Sequence, residues 1–287
     1  MYYLILQYKK VVEKLQFEDV YCPISKNLNL VEKELKKTCV NLGTNHLQGI
    51  IGCFFKIPGK RLRPTLALLS AGVTDNKLPK STNDQLINFA TGLELMHSAS
   101  LIHDDVIDGD VIRRGQKTLN KLYGSKIAVL AGDVVYALAF SRISNSLPKE
   151  FDGVIVELTE YMCAAEVLQA EDKLPTREVY LNIIKGKTAL FMSLSCKISA
   201  ALAGGTKDQI NSMEEYGLNL GMAYQIMDDC IDKDINARLN ITVEDAKSYG
   251  NRAIKSLESF GNSTCKISLI NLVNFILSLS HAKVSNS

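Results

Sequence analysis

The sequence predicts an all-α domain, on three observations. Apolar residues recur every three to four positions through long stretches, while nothing alternates convincingly with period two. The six prolines all precede position 176 and leave long uninterrupted segments between them. Finally, 46% apolar residues in a chain of 287 are ample for a substantial core. No internal repeat, low-complexity tract or linker divides the chain, so a single domain is expected.

The helices follow in order. Residues 28–42 set Leu28, Val31, Leu35 and Leu42 against Glu32, Lys33, Lys36 and Lys37, the two-faced pattern of an amphipathic helix. Pro64 suits the first turn of a helix running through Leu69. Ser81-Thr82-Asn83-Asp84 supplies capping side chains for a long apolar helix that runs from about residue 84 into Asp108. Further helical patterns cover 126–144, 151–171, 177–203, 207–233, 242–259 and 264–281, with Gly204-Gly205 as a stop.

Composition excludes some functions. A formal charge of +2, from 33 basic and 31 acidic residues, implies no general attraction to nucleic acid or to an anionic membrane. The seven cysteines form no C-x-x-C pair and their number is odd, which argues for a reducing compartment rather than a disulfide framework. The apolar start from Tyr2 to Leu6 is too short for a secretory signal, and Glu13, Glu18 and Asp19 do not suit an acid-poor transit peptide. No convincing targeting peptide is seen, so cytoplasm or an organelle matrix is expected. No run approaches the roughly 18 apolar residues of a membrane span, so no transmembrane segment is expected.

Charge is concentrated where it is least expected. Asp104-Asp105-Val106-Ile107-Asp108 and Asp228-Asp229-Cys230-Ile231-Asp232 are two Asp-Asp-x-x-Asp clusters, each preceded by apolar sequence. At about 100° per helical residue, Asp104 with Asp108 and Asp228 with Asp232 share a face, and each pair is a candidate metal claw. If the clusters face one another, cations must lie between them, because like charges held close raise pKa values or separate. All-oxygen ligands with few protein contacts per ion suit Mg²⁺, which keeps waters and shares itself with substrate phosphates.

Basic groups flank the clusters. His97 lies seven residues before Asp104, nearly two turns along the same helix, and Arg113 and Arg114 follow the first cluster. Gly59-Lys60-Arg61-Leu62-Arg63-Pro64 gathers three cations in a loop leading to a helix, where glycine lets backbone approach an anion and arginine grips phosphate bidentately. Lys187, Thr188 and Gln225 add donors beside the second cluster. Each feature alone has a bland reading: a lone acidic pair is usually a solvated helix face, His97 a core or capping residue, and Lys60, Arg61 and Arg63 ordinary surface charge. Cys230 lies between metal-facing positions and reads as packing.

Taken together the motifs resemble the trans-isoprenyl diphosphate synthases, also called polyprenyl synthetases. The matching stretches are Gly59 to Pro64, Glu94 to Asp108, Arg113-Arg114-Gly115, Ala131-Gly132-Asp133, Glu166-Val167-Leu168-Gln169, Lys187-Thr188-Ala189 and Gly221 to Asp229. The resemblance implies a single-domain helical bundle around a central cavity, with residues 1–27 as an N-terminal extension and the family domain over 28–287. It implies a prenyltransferase in which Mg²⁺ on Asp104, Asp108 and Asp228 binds the diphosphate of an allylic substrate, with Asp105, Asp229 and Asp232 in support. Arg113 and Lys187 would stabilise the departing diphosphate, with Thr188 and Gln225 as further contacts. Lys60, Arg63, His97 and Arg114 would hold isopentenyl diphosphate. The partner implied is a second copy or a related subunit.

In this family, side chains just upstream of the first cluster set product length. Here they are Ala99 and Ser100; Ser100 stands one turn, about 6 Å, from Asp104, and neither is large enough to form a floor. A long-chain product of the kind attached to quinones is expected. Val111 and Ala165 replace residues common in the family without removing a ligand. A larger departure follows Asp232, where Lys233-Asp234-Ile235-Asn236 leads almost directly into a late helix, leaving 55 residues in place of a lysine-bearing loop and further helices. Without that cation and cover, transition-state stabilisation weakens. The alternative is therefore a catalytically impaired or truncated form that dimerises with a complete synthase.

Overall fold

The computed structural model describes residues 17–40, 42–171, 176–232 and 239–282. Most of residues 1–27 and the shortening after about 234 lie outside this range. The described residues form the helices α1 Phe17–Tyr21, α2 Ser25–Val40, α3 Asn45–Phe55, α4 Leu62–Thr74, α5 Lys80–Ile107, α6 Leu119–Tyr123, α7 Ser125–Ser144, α8 Val154–Glu171, α9 Arg177–Ile184, α10 Leu190–Leu202, α11 Lys207–Asp232, α12 Val243–Ser256 and α13 Thr264–Ala282, with every helix of the sequence reading among them.

Several details differ from the sequence reading, beginning with the five-residue helices α1 and α6, which are too short to show a helical period. Helix α3 was not expected: Gly49 and Gly52 dilute its pattern, but Thr44 caps it by accepting from the Leu47 N–H at 3.2 Å. Helix α5 starts at Lys80 behind Pro79, with no side-chain cap, and Asn83 instead accepts a 2.9 Å hydrogen bond from Asn27 of α2. A small hairpin pairs β1 Ile112–Arg113 with β2 Gln116–Lys117; Arg114 and Gly115 both have positive φ, 50° and 75°, as a two-residue type I′ turn requires. Strands of two residues are too short for period two to register. Finally, the segment 177–203 is broken by a π-helical turn at Lys185–Ala189 between α9 and α10.

The chain packs into two compact units, one of 26–68 and 79–152, the other of the described residues up to Ser25, 69–78 and 153 onward. In the first, α5 lies along α7. Leu86, Phe89, Leu93, Met96 and Ile102 of α5 are almost wholly buried, each stabilising the unit by about 1.5–3 kcal/mol. Among the described residues one helix, α7, is long and apolar enough by length and composition to cross a membrane, which the expectation of no such run did not register because Lys126, Asp133 and Arg142 interrupt it. In the second unit α11 packs on α10, α12 and α13. A Cβ at Gly217 would stand 2.5 Å from the Met192 carbonyl oxygen, and one at Gly221 2.5 Å from Ala189 Cα, so these two glycines let α11 approach the π turn and α10. Tyr216 is fully buried, and its hydroxyl donates to the Leu269 carbonyl at 2.9 Å, tying α11 to α13.

Candidate active site

In the first unit the leading carboxylates sit in the last turn of α5. Asp104 is half-buried, and Asp108 is exposed and keeps helical backbone, its N–H donating to the Asp104 carbonyl at 2.8 Å. The four-residue spacing thus survives to the helix end. Asp105 is different: it is 2% exposed and receives the Arg113 guanidinium. Burial pushes its carboxyl above the usual range, and Arg113 pulls the other way. Arg113, expected to face a diphosphate, is held here by Asp105, with Asp110 at 3.6 Å. Asn120 donates to the backbone carbonyls of Asp105 and Asp110 and fixes the loop between α5 and the hairpin. Asp105, Arg113, Arg114 and Lys117 line one side of a cleft whose apolar wall includes Phe54 and Leu119.

The basic loop before α4 divides its cations between two tasks. Lys60 lies in the loop, whereas Arg61 has φ 52° and is buried, its guanidinium bonded to Glu32 and, at 2.7 Å, to buried Glu94. This left-handed backbone costs on the order of 1 kcal/mol for an arginine, and the two carboxylates hold it there. Arg63 is 9% exposed, on the first turn of α4. Gly59 lets the Arg114 guanidinium lie against the loop backbone, since a Cβ there would stand 2.6 Å from Arg114 Nη2 and the arginine would have to shift. Burial pushes Glu94 up, with Arg61 opposing, and the same environment acts oppositely on His97. Burial first, then the cations Arg63 and Arg114, hold the imidazole well below its usual value, so it is neutral at physiological pH. His97, Arg63 and Arg114 therefore share one electrostatic neighbourhood. Ala99 is fully buried; Ser100 is half-buried and donates to the His97 carbonyl at 2.9 Å.

In the second unit, Asp228 and Asp232 are exposed on α11 and Asp229 is half-buried. Gln225 donates to Asp229 Oδ1 at 2.8 Å and Tyr180 donates to Oδ2 at 2.6 Å. Thr188 in turn donates to Gln225 Oε1 at 2.9 Å, which fixes the amide so that its nitrogen meets Asp229. Lys187, carried by the π turn, bonds Glu166 and Gln169 of α8, each at 2.8 Å. Burial pushes the Tyr180 phenol far up, reinforced by Asp229, so it remains a proton donor.

Sequence reasoning named Arg61 among three loop cations without setting it apart, and it missed Tyr180. Arg61 and its neighbours in the basic loop are equally cationic, and nothing in the sequence separates the buried one. Tyr180 stands 49 positions before its partner, and no motif links the two.

Residues 44–239 match the polyprenyl synthetase family. The chain belongs to the polyprenyl synthetase family. It is 36% identical over 181 residues to a short chain isoprenyl diphosphate synthase of Methanothermobacter thermautotrophicus, covering 61% of this chain and 54% of that protein. It is 33% identical over 183 residues to an octaprenyl diphosphate synthase of Haemophilus influenzae, covering 63% and 54%. The chain thus spans about half the length of these curated relatives. Among solved structures, a polyprenyl synthase from Caulobacter crescentus, complexed with calcium and isoprenyl diphosphate, superposes with a TM-score of 0.83 over 92% of this chain and 98% of that one. Identity there is 22%, so the likeness establishes the all-α isoprenoid-synthase fold.

Among the described residues no three His, Cys, Asp or Glu side chains converge to hold a metal ion by themselves. Instead each motif offers one helical pair of carboxylates with an exposed member. That suits Mg²⁺, which binds through one or two carboxylates plus waters and substrate phosphates and does not need a closed protein cage.

Proposed function

We propose that the chain is a Mg²⁺-dependent prenyltransferase that condenses isopentenyl diphosphate with an allylic diphosphate to give a long polyprenyl diphosphate of the kind attached to quinones. The observation that carries the reading is the repetition of one carboxylate arrangement, a pair four residues apart at the end of a helix with at least one member exposed, in a member of the polyprenyl synthetase family. Asp104, Asp108 and Asp228 are the proposed ligands. When bound, Mg²⁺ supplies charge neutralisation on the departing diphosphate.

The remaining roles belong to the chain itself. Lys60, Arg63, Arg114 and neutral His97 bind and orient the isopentenyl diphosphate, whose double bond attacks the allylic carbon. Arg113 and Lys187 are proposed to move from their carboxylate partners to the allylic diphosphate, with Thr188 and Gln225 beside it. Proton loss, to the released diphosphate, completes the addition. Product length is assigned to Ala99 and Ser100. The relatives' own names span short-chain and octaprenyl products, so identity alone does not choose between them.

A homodimer, or a heterodimer with a related subunit, is part of the same proposal. It is supported by α7, an apolar helix that leaves Val129 40% and Leu130 52% exposed. A monomer by light scattering at micromolar concentration would refute it. The second reading, a catalytically impaired or truncated form that partners a complete synthase, is favoured by the short join between Asp232 and α12, where the family resemblance implies a lysine-bearing loop.

One experiment separates the readings: incubation of the purified chain with Mg²⁺, labelled isopentenyl diphosphate and farnesyl or geranylgeranyl diphosphate, followed by chain-length analysis. Long labelled products are the expected result. Absence of product from folded protein, with the turnover or product length of a complete synthase changed when this chain is added to it, would favour the second reading.

A further inference from the structure

Both carboxyl oxygens of Asp229 receive side-chain hydrogen bonds, one from its own helix and one from another element. Gln225, one turn earlier on α11, takes Oδ1 at 2.8 Å, and Tyr180 of α9 takes Oδ2 at 2.6 Å. The Gln225 amide is itself oriented by Thr188 of the π turn at 2.9 Å. Helix α9 and α11 itself therefore hold this side chain, and the π turn holds Gln225 in place. Helix α9 is also pinned at its start: Thr176 caps it, accepting from the Val179 N–H at 3.3 Å, and Arg177 bonds the Asn240 carbonyl and, at 2.6 Å, Asp245 of α12. Tyr180 is thus presented from a fixed element, the condition under which a supporting hydrogen bond sets geometry.

We propose that Tyr180 is a positioning residue for the second carboxylate motif, fixing Asp229 so that its neighbours Asp228 and Asp232 are held ready for a divalent cation. The physical reason is crowding. Three carboxylates within five residues repel, and the motif relieves that repulsion by moving side chains, by binding a proton or by binding a cation. A phenol and an amide donating to Asp229 hold its carboxyl on a fixed bearing toward α9, and so fix one of the three crowded side chains relative to Asp228 and Asp232 on the same helix. Tyr180 suits the task because its buried phenol stays protonated, and a neutral donor adds no charge that would repel the metal. This inference rests on the metal-binding reading above and adds to it a residue outside every motif of the sequence.

The test is Mn²⁺ binding to the full chain in the presence of inorganic diphosphate, followed by electron paramagnetic resonance, for wild type, Tyr180→Phe, Asp229→Asn and the double variant. Removing a partner of the groups around a metal typically weakens binding by about 10–100-fold, so Tyr180→Phe is expected to bind Mn²⁺ at least about tenfold more weakly. Because Tyr180 acts through Asp229, the double variant should bind no more weakly than Asp229→Asn alone, within about twofold. A merely structural tyrosine would move the thermal midpoint and leave Mn²⁺ affinity unchanged. Should the phenylalanine variant fail to fold, Tyr180→Met, a flexible filler without a donor, is read the same way. Mn²⁺ affinity equal to wild type, or losses that add in the double variant, would overturn the inference alone. Absence of Mn²⁺ binding by wild type would overturn the metal reading, and this inference with it.

Discussion

Arg61→Met removes one half of a buried ion pair and leaves the other half in place. The side chains of Arg61 and Glu94 are 8% and 3% exposed, with Nη1 and Oε1 2.7 Å apart. Stripping the partner from such a buried charge costs about 3–5 kcal/mol. Arg63 and Arg114 also act on Glu94, which places the expectation at the lower end, about 3 kcal/mol. At roughly 2–4 °C per kcal/mol for a chain of this order, the melting point should fall by about 6–12 °C. The pH dependence makes the prediction specific. Burial already raises Glu94 above 4.5, and losing Arg61 raises it further, so the folded variant binds a proton that the unfolded chain has released. Stability then falls as pH rises through that window, and the deficit against wild type should be smaller near about pH 5.5 than near about pH 7.5. Urea unfolding followed by circular dichroism at both pH values measures it. The double variant Arg61→Met/Glu94→Gln, which no longer buries the carboxylate that lost its partner, should recover at least about half of the loss. A deficit under about 1 kcal/mol, or one indifferent to pH, would refute the buried-pair argument.

The remaining predictions concern the site. His97 is depressed below 6.5 in the folded chain, so below about that pH the unfolded chain takes a proton that the folded one refuses, and stability should fall as pH falls. His97→Asn should flatten that slope in urea midpoints, and an unchanged slope would assign it to other groups. Asp104→Ala and Asp228→Ala should each lower Mg²⁺-dependent turnover by at least about a hundredfold with the helical spectrum intact; turnover near wild type in either would remove that residue from the ligand set. Ser100→Phe should shorten the product, and an unchanged distribution would move the tunnel floor elsewhere. Ser100 is the better probe than Ala99, which is fully buried and where a phenyl ring would first meet packed core.

The sequence by itself determined the helical class, most of the helices and both carboxylate pairs, because these rest on short-range regularity. A period of 3.6 and a spacing of four are written in consecutive residues, and α5 and α11 end within a residue or so of the expected positions. What only the tertiary structure decided is which like residues do unlike things. Arg61 and Arg63 are both buried at one loop, yet Arg61 is committed to Glu32 and Glu94, which come from helices 29 and 33 positions away. Asp105 and Asp229 each follow the first aspartate of their motif, and each is claimed by a different partner, Arg113 in one unit and Tyr180 with Gln225 in the other. The π turn that presents Lys187 and Thr188 leaves no mark in the apolar pattern of 177–203, since one widened turn shifts the helical phase without altering composition. Partners chosen across the fold depend on burial and distance, and neither quantity exists until the chain has packed.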